Sequence, residues 1–403
     1  MGQSFVVALL LGMFAACGNE PEHRAQFVRS GPTINSDTIA MREPDQSTAT
    51  CSACRVELER LGTIGSAADT VYPVFGAEIV EGTDQRFYVA KMSERGRIGV
   101  YDREGTLLSL LGRQGEGPGE LRTVSAHAAS SDSQLVVLGF SHILRFPLSG
   151  GEPTSQIIPR PLQFPRMIVL SGGGVIVNNR DATLRNFTYF GKDSASFTTF
   201  GDSLPPEGGE GSEDPAAAVR RGTRILQRLA PVDSARFWAV AEFFRPILDV
   251  WRVDGVLLGR YRLPAPWFVP YGPEEFRRYQ REGDRGHPVA RTTGIHRDAA
   301  GYLWTVTQVA DPEWSRPDSV EQLRREDGGG AQAVPWGYDR QPVLDAVIAV
   351  YQITPAGARL LAATRVDEAM TGFLSDTVAY AEDLPERGLA TYTLYRFRLL
   401  HQP

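Results

Sequence analysis

Beyond about residue 55 the apolar positions fall in short runs set off by Gly, Asp or Ser, and no long stretch keeps a helical period. One run recurs as RFYVA (86–90), QLVVL (134–138), GVIVN (174–178), RFWAV (236–240), YLWTV (302–306) and TVAYA (377–381). Turn residues stand before each of them: Asp84, Asp132, Gly172, Asp233, Gly301 and Asp376. A second, alternating run follows at 97–105, 142–150, 186–193, 247–255, 347–357 and 391–399. A third follows in most units, at 106–112, 196–201, 256–263 and 358–365.

Six copies of a four-stranded unit predict an all-β fold, a six-bladed β-propeller of four-stranded antiparallel blades. The anchors are Phe87, Leu135, Val175, Phe237, Leu303 and Val378. Their closest pair, Leu135 and Val175, is separated by close to the ~40–50 residues of one blade, so the longer intervals must carry insertions. The last unit is one strand short, and RVELERLGTIG (55–65) lies unassigned before the first. Pairing this N-terminal strand on the outside of the last blade closes the ring and leaves no open edge.

The N-terminus reads differently. Phe5 to Ala16 is an apolar run too short to span a bilayer as a helix, and it suits a signal-peptide core (1–16). From Gly18 to about Thr50 the chain is polar, so 17–50 is expected to be a flexible tether and 51–403 the propeller. The pair Cys51 and Cys54 in CSAC could be a redox motif, half a zinc site or a local disulfide. A strand-like segment follows it and no second Cys/His pair has zinc spacing, so a structural disulfide in an oxidising compartment is expected. The net charge of −6 argues against a nucleic-acid partner.

Two resemblances rest on these residues. FAAC (14–17) resembles the lipobox of bacterial lipoproteins, with Phe14 where Leu is usual, and this implies lipidation at Cys17. RFYVAKMSERGRIGVYDREGTLLSLLGRQGEGPGEL resembles the NHL-type propeller repeat, and the whole chain resembles the lipoprotein-type six-bladed β-propellers of Gram-negative bacteria. The resemblance implies export and a lipid anchor in the cell envelope, at the outer membrane or the periplasmic face. Six-bladed relatives include calcium-dependent lactonases and metal-dependent lyases, whose ligand set has no residue-by-residue counterpart in this chain.

Strand order then predicts a functional face. In a blade of strands A to D, counted outward from the channel, the D-to-A crossovers and B-to-C loops share one face. The A–B and C–D turns share the other. Insertions 202–223 and 264–291 fall at D-to-A positions and 311–343 at a B-to-C position, while the opposite turns stay short. Long loops on a rigid scaffold are where binding concentrates. PEEFRRYQRE and SVEQLRRE, within two of the insertions, are expected to form short helices, the second with a capping-box spacing from Ser319 to Gln322. Trp267, Tyr271, Arg277, Arg278, Trp314, Trp336 and Tyr338 are candidate contacts for an anionic or sugar-like ligand, with packing of the insertions as the competing role.

The glycine-rich GRQGEGPGEL (112–121) lacks the third glycine of G-x-G-x-x-G and the Gly-Lys-Ser/Thr of a P-loop, so its glycines are expected to serve turns. Arg113, Glu120 and Arg122 within and beside it are rim candidates. Glu78, His127 and His296 are weak metal candidates on the inner strands. The expected function is a non-enzymatic binding or interaction platform, without a cofactor, monomeric, for a small ligand, a glycan or an envelope protein. The alternative is a metal-dependent hydrolase or lyase, using a divalent metal in the central channel.

Overall fold

The computed structural model describes residues 28–34, 39–45, 51, 54–65, 77–91, 96–115, 117, 119–158, 163–180, 185–192, 197–203, 226–243, 245–269, 274, 289–313, 344–383 and 391–401. They build a six-bladed β-propeller. Each blade is an antiparallel sheet whose strands A to D run in chain order from the channel outward, save in the last blade. The A strands are Ala77–Glu81, Ala126–Ser130, Gln163–Val169, Gln227–Pro231, Arg291–Arg297 and Met370–Phe373. All six anchors lie on B strands and are buried.

The ring closes as the alternation predicts. Cys54–Ile64 pairs antiparallel with Thr391–His401 along its length, from His401 opposite Cys54 to Tyr392 opposite Ile64. It supplies strand D of blade six. The Cys51–Cys54 disulfide sits at the start of this strand, beside the end of the chain.

The core is a set of layers between blades. Alternation sends every second side chain of a strand to one neighbouring blade and the others to the next. Six buried apolar clusters result, one in each blade–blade interface. The layer between blades three and four is aromatic: Phe187, Phe237 and Trp251 meet edge to face, with ring centroids 5.1 and 5.4 Å from Phe187. Such contacts add about 0.5–1.5 kcal/mol per pair beyond area burial.

The expected tether is not free along its whole length. Val28–Ile34 pairs parallel with strand D of blade three, Phe197–Ser203, and Met41–Arg42 pairs parallel with strand D of blade four, Leu257–Arg262. Arg42 then donates to the Tyr261 hydroxyl at 2.8 Å and to the Pro355 carbonyl at 2.9 Å, and the Asp45 amide reaches the Ala358 carbonyl of blade five. Segments 28–34, 39–45 and 54–64 thus form a belt that touches the outer edges of four successive blades. It caps edge strands that would otherwise present unpaired backbone groups.

Candidate functional site

Strand direction fixes what each end of the channel displays. Every A strand starts on the face of the D-to-A crossovers and ends at an A–B turn on the other. The strand ends flanking the three insertions (Ser203 and Gln227, Arg262 and Arg291, Ala310 and Leu344) all lie on the first face, here called the insertion face. The opposite face carries tight turns, with left-handed backbone at Gly105, Gly255 and Gly301.

Charged residues gather at the start of the A strands, hence at the insertion-face mouth of the channel. Glu78, Arg166 and Arg228 each stand nine residues before their anchors Phe87, Val175 and Phe237. Their cross-strand partners Ala90, Asn178 and Val240 are equivalent in register. The side chains therefore occupy one level of the ring. Arg166 Nη1 donates to Glu78 Oε1 at 2.8 Å, which links blades one and three past blade two. Arg228 Nε lies 3.2 Å from Glu242 Oε2, and Arg291 Nε lies 3.1 Å from Glu242 Oε1. Glu242 follows strand B of blade four, and its side chain is only 5% exposed between two cations. Burial pulls the Arg228 guanidinium below its ordinary range, the neighbouring Arg166 and Arg291 add to that, and Glu242 opposes it. Beside them burial pushes the Tyr380 hydroxyl well up, reinforced by Glu78 and Glu382, while Tyr392 donates to Glu382 at 3.1 Å.

A buried polar layer supports the blade-four side of this mouth. Asn186 Nδ2 donates to Gln227 Oε1 at 3.2 Å, the Gln227 amide donates to Asn178 Oδ1 at 3.2 Å, and the Asp202 amide donates to Asn186 Oδ1 at 2.9 Å. These bonds tie blade three to the strand that carries Arg228 and hold its position. Arg166, Arg228 and Arg291 face Glu78 and Glu242, with Glu382 nearby. The array has little net field but many directional donors and acceptors, and the arginines offer forked N–H groups.

The metal candidates are not brought together as a set of three. His127 is buried at the mouth level, and its Nε2–H donates to the Tyr88 carbonyl at 3.0 Å. Burial pulls its pKa down, so the ring is neutral, with Nδ1 unprotonated. His296 lies near the other end of its strand, with Nε2 3.1 Å from Asp376 Oδ1 in the A–B turn of blade six. The nearby His296 ring holds the Asp376 carboxyl below its ordinary range.

The rim candidates separate as well. Glu120 folds back into its own loop: its Oε2 accepts the Gly117 amide at 3.0 Å, and Arg113 lies 3.6 Å from its Oε1. A methyl at Gly115 would sit 1.9 Å from that carboxylate, so this glycine makes room for Glu120, while Gly112 and Gly119 supply left-handed turns. Arg122 stacks over Phe140 at 5.7 Å and, with Glu120 and His142, lines a shallow groove between blades one and two on the insertion face. Trp267 is partly buried against two apolar clusters, where it packs the crossover onto blades four and five. Tyr271, Arg277, Arg278, Trp314, Trp336, Tyr338 and Cys17 lie outside the described residues, as do the predicted insertion helices apart from Glu274. Sequence reasoning pointed to Arg291, at the end of insertion 264–291, as a ligand contact, and missed Arg166, Arg228 and Glu242. The nine-residue offset before three anchors was a signal that could have found two of them.

No protein-family model matches the chain, and no curated protein matches it in sequence. Solved structures resemble it in fold. A provisionally named exported protein of Bacteroides fragilis aligns with a TM-score of 0.47 and 10% identity, over 92% of this chain and 100% of its own. An inactive variant of virginiamycin B lyase from Staphylococcus aureus aligns at 0.43 and 10%, over 86% and 100%. A gluconolactonase from Xanthomonas campestris aligns at 0.41 and 12%, over 87% and 99%. At these identities the likeness is one of fold alone.

Proposed function

We propose that this propeller is an exported, lipid-anchored binding platform that engages a hydroxyl-rich ligand, a glycan of the cell envelope, at the insertion-face mouth of its channel. One observation carries the reading. Glu78, Arg166 and Arg228, from the A strands of blades one, three and four, share one level of that mouth, and Arg291 of blade five and Glu242 stand next to them toward the face from which all three insertions leave. Such an array suits a ligand that offers many donors and acceptors and little net charge.

The belt supports an orientation for this platform. Val28 pairs with Phe197, at the C–D end of strand D in blade three, so the chain joins the ring from the face opposite the insertions. Ten residues lie between Cys17 and Val28, and the stretch reaches at most about 40 Å when extended. An anchor at Cys17 would hold the turn face toward the bilayer and leave the channel mouth turned outward.

Binding of envelope oligosaccharides to the soluble propeller, followed by calorimetry, tests the reading. Saturable binding is expected, weakened at least about tenfold in Arg166→Gln, whose half-buried side chain can be replaced without stranding a fully buried partner. Unchanged affinity in Arg166→Gln and Arg291→Gln would remove the mouth from the site.

A further inference from the structure

A second acidic feature lies away from the channel, at the foot of the insertion in blade five. Asp311 directly follows strand B, Leu303–Ala310, and Asp345 opens strand C, Leu344–Ile353. Asp367 directly follows strand D, Ala358–Val366. Register puts all three on one side of the sheet. Asp345 pairs with Val309, and Asp311 is two residues further along that strand. Ala346 pairs with Val366, which brings Asp367 opposite Asp345. One carboxylate oxygen from each lies within 4.8 Å of the other two.

Three like charges at this separation repel unless something positive sits among them. Arg365 supplies part of the compensation, with its Nε 2.5 Å from Asp345 Oδ2 and its other nitrogen given to the Ala310 carbonyl. Two negative charges remain. The independent observation concerns Asp345: its side chain is 6% exposed, and among the described residues its buried Oδ1 meets no hydrogen-bond donor. A buried carboxylate oxygen with no donor costs a few kcal/mol unless a cation satisfies it.

We infer that Asp311, Asp345 and Asp367 form a calcium site. The donors are all hard oxygens, without His or Cys, which selects Ca²⁺ or Mg²⁺ over zinc. Oxygens on opposite sides of one Ca²⁺ stand up to about 5 Å apart, so three carboxylate oxygens within 4.8 Å of one another can share one calcium ion, whose flexible coordination also suits a site drawn from three strand ends. The ion would join the two ends of insertion 311–343 to the crossover that leaves blade five. It would thereby brace the longest insertion from beneath, on the same face as the channel mouth but beside strands B, C and D rather than at the channel. The inference does not depend on the glycan reading.

The test is calorimetric titration of CaCl₂ into the chelator-treated propeller, with MgCl₂ as the comparison. One Ca²⁺ per chain with a Kd near 10⁻⁴ M, the order of extracellular calcium modules, is expected, with weaker Mg²⁺ binding. Asp367→Asn removes an exposed ligand without touching the Arg365 pair, so the variant stays folded; its affinity should fall at least about tenfold. Asp345→Asn should abolish binding, with folding checked by circular dichroism. Heat of binding absent from the wild-type protein up to millimolar Ca²⁺, or affinity unchanged in Asp367→Asn, would overturn the site.

Discussion

The two ends of the channel are built from the same six strands and differ in chemistry. At the turn face His296 meets Asp376, a residue whose side chain is 64% exposed, among short turns. At the insertion face Glu242 is nearly buried between Arg228 and Arg291, and Glu78 reaches Arg166 two blades away. An exposed pair can be lost with little effect, because water replaces either partner. A buried carboxylate that faces a buried guanidinium cannot, because its removal strands the desolvated Arg228. The difference teaches that one end of the ring is finished by local turns, while the other is held by long-range charge pairing that stability alone does not require. Six apolar layers already fill the blade–blade interfaces.

The largest break in this comparison is expected from Glu242→Gln, which should cost about 3–5 kcal/mol in denaturant unfolding. The same type of change at the other end, Asp376→Asn, should cost less than about 1 kcal/mol. Equal costs would mean that the two ends are electrostatically alike. A smaller effect sharpens the picture through pH. The folded protein keeps His127 neutral by burial, whereas the unfolded chain takes up a proton below about pH 6.5. The unfolded state therefore binds more protons there, and stability falls as pH drops from that value toward the lowered folded-state pKa. His127→Gln should flatten this part of the stability profile, measured as melting temperature between pH 7 and 5, and a profile unchanged by the substitution would contradict the assignment.

Legibility in the sequence followed the range of the interactions. The B strands were plain because each is a dense apolar run after a turn residue. The closing strand was plain because RVELERLGTIG alternates and was left without a blade. The belt was not. VRSGPTI has few large apolar residues, and it pairs through its backbone on an outer edge. Its ladder shifts register between Ser30 and Thr33, where Gly31 and Pro32 intervene and Pro32 has no N–H to give. The mouth was half hidden for another reason. Glu78 and Arg166 meet across 88 positions of sequence, and nothing local in LQFPRMIV marks its arginine as a partner of the first blade. The disulfide, a contact between residues three apart, was readable from spacing and compartment alone.

Receipt of a ligand at the charged mouth is the central proposal. Hydrogen exchange of backbone amides, with and without a bound envelope oligosaccharide, tests it directly. Added protection is expected in the A strands toward the mouth, at 77–80, 163–168, 227–230 and 291–294. Protection confined to the A–B and C–D turns at 298–302, 354–357 and 374–377 would place the ligand on the other face and contradict it.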